Sequence, residues 1–253
     1  MGEVAAYSAD RSLKGKLRRR LVRLVARRPA QRGPDRPMVS FSFDDAPATA
    51  LSEGRAALEA HGLRGTYFIA AGLAGTTGPM GPNAASQAVM QAAEAGHEIA
   101  CHTYSHLDCG QADQRTIEAD VDRNIAALSA WGAAPATTFA YPYGDVSLAA
   151  KRALGGRYAV LRGLHHGLIE AGTDLNQAPA VGIEGLDGEA VAHAWIDRAA
   201  MRRGWLILYT HDVVEAPSPF GCTPAALTRL IQHALAAEVE VVTVAEGARR
   251  LAG

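Results

Sequence analysis

Residues 38–45 read Met-Val-Ser-Phe-Ser-Phe-Asp-Asp, an apolar segment that ends in two consecutive carboxylates. Large apolar residues alternating with small ones are typical of a strand that is buried in a sheet. Asp44 and Asp45 then lie at the edge of the core, where two adjacent negative charges are unfavourable unless a positive charge compensates them. We therefore expect a cationic group beside this pair, although an aspartate after a strand also commonly caps a loop.

Strand-like and helix-like segments alternate along the rest of the chain. The predicted strands cover residues 38–43, 66–70, 98–101, 138–140, 158–161, 179–183, 205–209 and 239–244. The predicted helices cover residues 49–61, 84–95, 113–131, 148–154, 188–203 and 223–237. This order is typical of βα units around a parallel sheet, and a length of 253 residues with 48% hydrophobic side chains suits one such domain. The sequence thus predicts an α/β fold, either a barrel or a doubly wound sheet.

Polar residues follow four of the predicted strands at the point where each strand ends. They are Asp44 and Asp45, His102 and His106, the segment 141–144, and His211. Because the carboxyl ends of parallel strands meet at one face of an α/β fold, we expect these residues to converge there.

The segment His102-Thr-Tyr-Ser-His106 places two imidazoles four residues apart, on one side of the chain if it turns helically. Two histidines and one carboxylate leave positions open on a divalent ion, which is typical of a catalytic metal site. Cys101 and Cys109 flank the segment, so a structural Cys/His zinc site is the competing interpretation. It is less favoured because Cys101 points away from His102 if the strand continues.

Four segments in order connect these residues to a known family. They are Phe43-Asp44-Asp45, His102-Thr-Tyr-Ser-His106, Phe139-Ala-Tyr-Pro-Tyr143-Gly144 and Leu208-Tyr-Thr-His211-Asp212. Together they resemble the polysaccharide deacetylases of the NodB-like carbohydrate esterase family. The resemblance implies a distorted (β/α) barrel with about seven strands. It also implies a divalent metal ion, Zn²⁺ in the first place, although the ligand types also suit Co, Ni or Mn.

The resemblance also implies roles for individual residues. Asp45, His102 and His106 would bind the metal ion. Asp44 would be the general base, His211 the general acid, and the backbone amide of Tyr143 an oxyanion donor. The expected substrate contacts are Tyr141, Pro142, Tyr209 and Phe220; Tyr209 stands where relatives often present leucine to the acetyl methyl.

This chain departs from the family pattern at the positions that tune the base. Ala140 and Ala180 stand where many relatives carry arginine. Arg162 and Arg64 are the two candidates for a substitute. The acidic partner of His211 is equally open. The candidates for it are Asp212, Asp174 and Glu184.

The N-terminal part of the chain has a different character. Residues 11–28 contain nine Lys or Arg and no acid, with leucines and a valine at steps of three and four residues. This pattern predicts a basic amphipathic helix, followed by a linker up to residue 36. Such a helix can lie on an anionic membrane surface, or it can dock on its own domain or on a second subunit. Residues 37–253 form the predicted catalytic domain.

Overall composition limits the partners and the compartment. A net charge of -1 and a pI near 6.8 give no global field that would attract nucleic acid. Three cysteines at irregular spacings fit a reducing compartment, and no segment approaches the roughly 18 apolar residues of a membrane span. We therefore expect a cytoplasmic protein, with membrane contact at most peripheral through residues 11–28.

These observations predict a hydrolase that removes acetyl groups from N-acetylglucosamine-type residues of a surface polysaccharide or of its lipid-linked precursor. One alternative is a deformylase or deacetylase of a single lipid-carried amino sugar. The other is a catalytically silent carbohydrate-binding protein.

Overall fold

The computed structural model describes residues 20–252. The strands are β1 (Met38–Asp44), β2 (Thr66–Ile69), β3 (Thr77–Gly78), β4 (Gly81–Pro82), β5 (Glu98–Cys101), β6 (Thr138–Ala140), β7 (Val160–Arg162), β8 (Val181–Gly182), β9 (Trp205–Thr210) and β10 (Glu240–Val241). The helices are α1 (Arg55–Glu59), α2 (Ser86–Glu94), α3 (Gln114–Ala130), α4 (Leu148–Leu154), α5 (Gly188–Arg202), α6 (Pro224–Ala236) and α7 (Val244–Ala252). A π-helical segment, Ala50–Gly54, runs directly into α1.

The main sheet has the strand order β7-β6-β5-β2-β1-β9-β8, with β10 also paired to β1. All of its strand pairs are parallel. A parallel bridge between Arg162 and Ala178 joins the chain leading into β8 to the opposite edge strand, β7. The sheet is therefore curled into a distorted barrel, which confirms the predicted α/β barrel with about seven strands.

Alternate residues of β1 face opposite sides of the sheet. Phe41 and Phe43 pack on the outer side with the helices, whereas Met38 belongs to a second cluster inside the barrel. By this alternation Asp44, which ends the strand, faces the interior. Small buried residues line that interior beside Phe68 and Tyr209. They include Ala100, Ala140, Ala178 and Ala180.

The end of the chain differs from the prediction. A strand was expected over residues 239–244, but it is limited to β10, and α7 follows it. The Thr243 side chain accepts a hydrogen bond from the amide of Glu246 at 3.2 Å, a capping signal that the strand prediction overlooked. Gly247 lets α7 pack against Trp205, because a Cβ there would lie 2.4 Å from the indole ring.

The basic N-terminal segment is only partly covered by the described residues. Residues 11–19 of the predicted helix lie outside them, and the helix ends at Val22, before the predicted end at residue 28. Val22 is buried against the domain, and the Lys151 ammonium donates hydrogen bonds to the carbonyls of Val22 and Val25 at 2.8 and 3.3 Å. Within residues 20–252, no helix is long and apolar enough to cross a membrane.

Candidate metal and catalytic site

The end of β1 turns sharply, and this turn separates the two aspartates. Asp45 and Ala46 both have left-handed backbone conformations, with φ of 62° and 66°, and the Ala46 amide donates to the Asp44 carbonyl at 2.7 Å. Left-handed non-glycine residues are strained and cluster at functional sites. The turn leaves Asp44 in the barrel interior and directs Asp45 towards the histidines.

Asp45, His102 and His106 form a group that can hold a metal ion, with one ligand atom from each lying within 4.8 Å of the others. The Oδ1 atom of Asp45 is 3.3 Å from Nε2 of His102 and 3.1 Å from Nε2 of His106. This oxygen is buried and has no hydrogen bond of good geometry. A buried carboxylate oxygen that faces two imidazole nitrogens fits a divalent cation better than it fits the bare protein.

The imidazole of His102 is oriented for metal binding. Its Nδ1 lies 2.8 Å from the carbonyl oxygen of Ala140. Because a carbonyl can only accept, Nδ1 must carry the proton, and the Nε2 lone pair faces Asp45. A backbone carbonyl that fixes the tautomer of a ligating histidine is a common feature of metal sites.

The segment between the two histidines does not turn helically, although both imidazoles face Asp45. Thr103 and His106 instead adopt left-handed conformations with φ of 62° and 56°. Asp120 of α3 holds the loop, because its carboxylate accepts from the amides of Tyr104 and Ser105 at 2.6 and 3.0 Å. Nothing in the local sequence indicates this contact, since Asp120 lies on another element.

The cysteines beside this loop do not belong to the metal group, which contradicts the structural Cys/His zinc interpretation. Cys101 and Cys109 are fully buried, and the amide of Asn124 lies 3.2 Å from the Cys101 sulfur. Burial raises the pKa of both thiols. Zinc binds the thiolate, so these environments oppose ligation.

Burial and the neighbouring charges have opposite effects on the pKa values within the metal group. Burial alone would raise the pKa of Asp45, but the neighbouring imidazoles of His102 and His106 lower it below its ordinary value. Burial lowers the pKa of His106 to about 4, despite the opposing charge of Asp45. An ionised carboxylate beside a neutral imidazole is the protonation state that metal ligation requires.

Asp44 forms a buried ion pair with Arg162 of β7. One guanidinium nitrogen contacts both carboxylate oxygens, at 2.5 Å from Oδ2, and both side chains are buried. The guanidinium carbon lies 5.1 Å from the ring centres of Phe68 and Tyr209. Register pairing with Ala140 and the bridge to Ala178 place small residues on both sides of Arg162.

This ion pair distinguishes between the two candidate arginines. Arg64 donates to the backbone carbonyls of Ala95 and Leu63, on the strand N-terminal side of the sheet. Arg162 instead contacts the aspartate at the opposite end.

His211 follows β9, and its Nδ1 lies 3.1 Å from the carbonyl oxygen of Phe220. Nδ1 is therefore the donor, and Nε2 is left for other contacts. Of the three candidate acids, only Glu184 is near, with Oε2 3.9 Å from Nδ1. Asp212 accepts from Ser218 in the following loop. Asp174 pairs with Lys151 at 2.7 Å.

The segment after β6 forms a tight turn, Pro142–Gly144. Tyr143 has φ of 58°, is 39% exposed, and its ring packs edge-on against His106 at 4.4 Å between centres. Gly144 has φ of 63°, and a Cβ at this position would lie 2.4 Å from the Leu164 side chain. Only glycine fits here, so the turn that carries the Tyr143 amide is sterically fixed.

The four predicted substrate contacts differ in their exposure to solvent. Phe220 is 44% exposed, and the side chain of Pro142 is buried. Tyr141 is fully buried, with its hydroxyl donating to the Asn176 carbonyl at 3.0 Å, which argues against the predicted substrate contact of its side chain. Tyr209 is also buried, and its hydroxyl donates to Glu184 at 2.9 Å.

Comparisons with known proteins agree with this geometry. A family model described as polysaccharide deacetylase matches residues 31–157, and comparison with curated protein sequences gives no match. A structure of a proposed polysaccharide deacetylase from Mycobacterium smegmatis is similar, with a TM-score of 0.68 and 18% identity over 89% of this chain and 95% of that chain. A family 4 carbohydrate esterase from Streptomyces lividans, solved with acetate, has a TM-score of 0.55 and 21% identity over 82% and 92%.

A mutant of a family 4 pseudoenzyme with restored enzymatic activity is also similar, with a TM-score of 0.53 and 16% identity over 85% of this chain and 68% of that chain. Identities this low establish the common fold and leave activity to be argued from the residues of the site. The family model, in contrast, matches half of the chain, from the linker before β1 to the end of the turn after α4. With the barrel and the Asp45, His102 and His106 group, this match shows that the chain belongs to the polysaccharide deacetylase family.

Proposed function

We propose that this protein is a metal-dependent de-N-acetylase that acts on N-acetylglucosamine-type residues of a surface polysaccharide or of its lipid-linked precursor. The observation that carries the proposal is the position of the Asp45, His102 and His106 group between a buried carboxylate, Asp44, and an oriented imidazole, His211.

A divalent ion held by these three ligands, Zn²⁺ in the first place, would supply Lewis-acid activation of the acetamide carbonyl and of the attacking water. Asp44 takes the proton from that water as it attacks the carbonyl carbon. Arg162 holds the Asp44 carboxylate in one orientation, because the guanidinium is itself fixed between the rings of Phe68 and Tyr209. This constraint keeps the base in position for proton transfer.

The amine product cannot leave as an anion and must gain a proton. We assign this step to Nε2 of His211, because Nδ1 is committed to the Phe220 carbonyl. Glu184, 3.9 Å from Nδ1, stabilises the imidazolium form. The backbone amide of Tyr143 donates to the oxyanion of the tetrahedral intermediate, on a turn that Gly144 fixes.

The exposed rings of Tyr143 and Phe220 are the sugar-binding surfaces that we propose beside the metal group. Aromatic rings offer a flat apolar face to the CH groups of a pyranose. We further propose that the basic N-terminal segment contacts anionic membrane, because Leu21 and Leu24 are 52% and 72% exposed among arginines.

A carbohydrate-binding protein without catalytic activity is the second candidate. We consider it because one of the similar structures is a mutant of a pseudoenzyme. The experiment that separates the two measures acetate released from N-acetylglucosamine oligomers by protein reconstituted with Zn²⁺. The controls are Asp44→Asn and a chelator-treated sample. We expect release that both controls abolish. Binding of the oligomer without acetate release from it or from a lipid-linked N-acetylglucosamine, with each of Zn²⁺, Co²⁺, Ni²⁺ and Mn²⁺ in turn, would refute the hydrolase.

A further inference from the structure

Residues 20–30, which we call the arm, are fixed against the rest of the domain. The buried ammonium of Lys151 donates to the carbonyl oxygen of Val22 at 2.8 Å and to the carboxylate of Asp174 at 2.7 Å. The same carboxylate accepts from the backbone amide of Arg28 at 2.9 Å. A buried ammonium is unfavourable unless its charge is paired and its donors are bonded. These bonds therefore keep the arm in one orientation relative to the barrel.

The arm begins at the mouth of the barrel, by which we mean the face at the carboxyl ends of the parallel strands. Val22 and Arg23 lie beside Gly144 of the turn after β6. At the other end of the arm, Arg28 donates to the carbonyl of Ala159 at 2.7 Å, directly before β7 begins. Parallel strands all start at one face and end at the opposite face, so the arm runs away from the mouth and its first residues adjoin the proposed sugar site.

The docked arm leaves its apolar stripe uncovered. The described residues of this stripe are Leu21, Leu24 and Val25, and they are 52%, 72% and 39% exposed. The side chain that packs into the domain is Val22, which does not belong to the stripe. Within residues 20–252 the stripe thus has no cover, and adjacent exposed apolar side chains mark an interaction surface.

The charges around the stripe indicate what covers it. Residues 11–28 contain nine Lys or Arg and no acid, and Arg20, Arg23 and Arg27 are exposed. Leucines among basic residues suit an anionic bilayer, because the leucines enter the interface while the basic groups contact the anionic headgroups. A twofold contact with a second copy would instead bring two basic clusters together, which like-charge repulsion opposes.

Beyond membrane contact itself, we propose that docking of the arm places the mouth of the barrel at the surface of an anionic membrane. Because the arm is fixed to the barrel, the contact that holds the arm also orients the metal group. A saccharide carried on a lipid extends from the same surface, so it reaches the mouth while the protein stays docked. This inference rests on the proposed function and narrows its substrate to the amino sugars of a lipid-linked precursor.

The first test is co-sedimentation of the full chain with vesicles of phosphatidylcholine, with and without phosphatidylglycerol. We expect binding to the anionic vesicles only, and weaker binding as salt is added. Leu21→Gln combined with Leu24→Gln should weaken binding at least about tenfold, because two leucines no longer enter the interface. The matched control is Met201→Gln combined with Leu235→Gln. These side chains are 78% and 44% exposed near the ends of α5 and α6, at the face opposite the mouth, and the control should bind as the unaltered protein does.

The second test compares acetate release from a prenyl-linked N-acetylglucosamine saccharide in anionic vesicles with release from a soluble N-acetylglucosamine oligomer. The Leu21 and Leu24 double variant should lose at least about tenfold on the vesicle-borne substrate, in line with its weaker binding. It should keep its rate on the soluble oligomer, which a folding defect would not allow. The Met201 and Leu235 double variant should keep both rates.

Equal binding of anionic vesicles by the two double variants would overturn the docking surface. So would a dimer that becomes a monomer when Leu21 and Leu24 are replaced, because a second copy would then cover the stripe. Vesicle binding that depends on the two leucines, without any effect on release from the vesicle-borne substrate, would overturn the placement of the mouth. No release from any substrate, while binding still depends on the leucines, refutes the proposed function instead and supports the docking surface.

Discussion

The buried pair between Arg162 and Asp44 makes a quantitative prediction about stability. Arg162→Met keeps the length of the side chain and removes its charge, leaving the Asp44 carboxylate buried without its partner. Both side chains are buried, at 0% and 3% exposure, so solvent does not screen the loss. Removing one partner of a buried ion pair costs about 3–5 kcal/mol. For a chain of this length that corresponds to a fall in Tm of about 6–20 °C.

The assay is a double-mutant cycle with Asp44→Asn, measured by denaturant unfolding in chelator so that metal affinity does not contribute. In the Asp44→Asn background, Arg162→Met should be neutral or stabilising. In that background the Arg162 guanidinium has lost its carboxylate partner, and two of its nitrogens already lack hydrogen bonds. An equal loss in both backgrounds would refute the reasoning, because Arg162 would then act only by packing between Phe68 and Tyr209.

Three further predictions concern the turn after β6, the buried imidazole of His165 and the metal group. Gly144→Ala should cost about 2 kcal/mol or more in the free energy of unfolding, because its Cβ would meet Leu164; Gly156→Ala, with no atom within 4 Å, should change it little. The pKa of His165 is lowered from 6.5 to about 4, so the unfolded chain binds a proton before the folded chain does. Stability should fall as pH falls from 6.5 to 4, and less steeply in His165→Gln when melts are compared across that range. Zn²⁺ at 100 times its Kd should stabilise the protein by about 2.7 kcal/mol, and a thermal melt of Asp45→Ala should show no such gain.

The sequence predicts most of the fold because local signals coincide with the strands and helices that form. The alternating apolar residues of β1 and the Asp113 cap of α3 are such signals, and the Asp113 carboxylate accepts from the Thr116 amide at 2.8 Å. The C-terminal strand was predicted too long because the Thr243 hydroxyl caps the start of a helix through the amide of Glu246, which outweighs the β-branched residues before it.

For the site, residue types and spacing predict which residues form the metal group, whereas the geometry depends on contacts between distant elements. The sequence allows Arg162 or Arg64 as the partner of Asp44, and barrel closure brings only Arg162 to the interior. Likewise the tautomer of His102 depends on a carbonyl of β6. Such contacts join residues far apart in the chain, so no local pattern can encode them.

The left-handed backbone at Asp45, Ala46, Thr103, His106 and Tyr143 has a consequence for engineering. Glycine would relieve the conformational penalty at each of these positions, so a selection for heat resistance alone would favour replacing them. Two of these residues, Asp45 and His106, belong to the proposed metal group, and the others lie in the turns beside it. A laboratory evolution experiment that does not also select for turnover should therefore yield proteins that are more heat-stable but inactive. Their substitutions should be concentrated in the loops around the metal group.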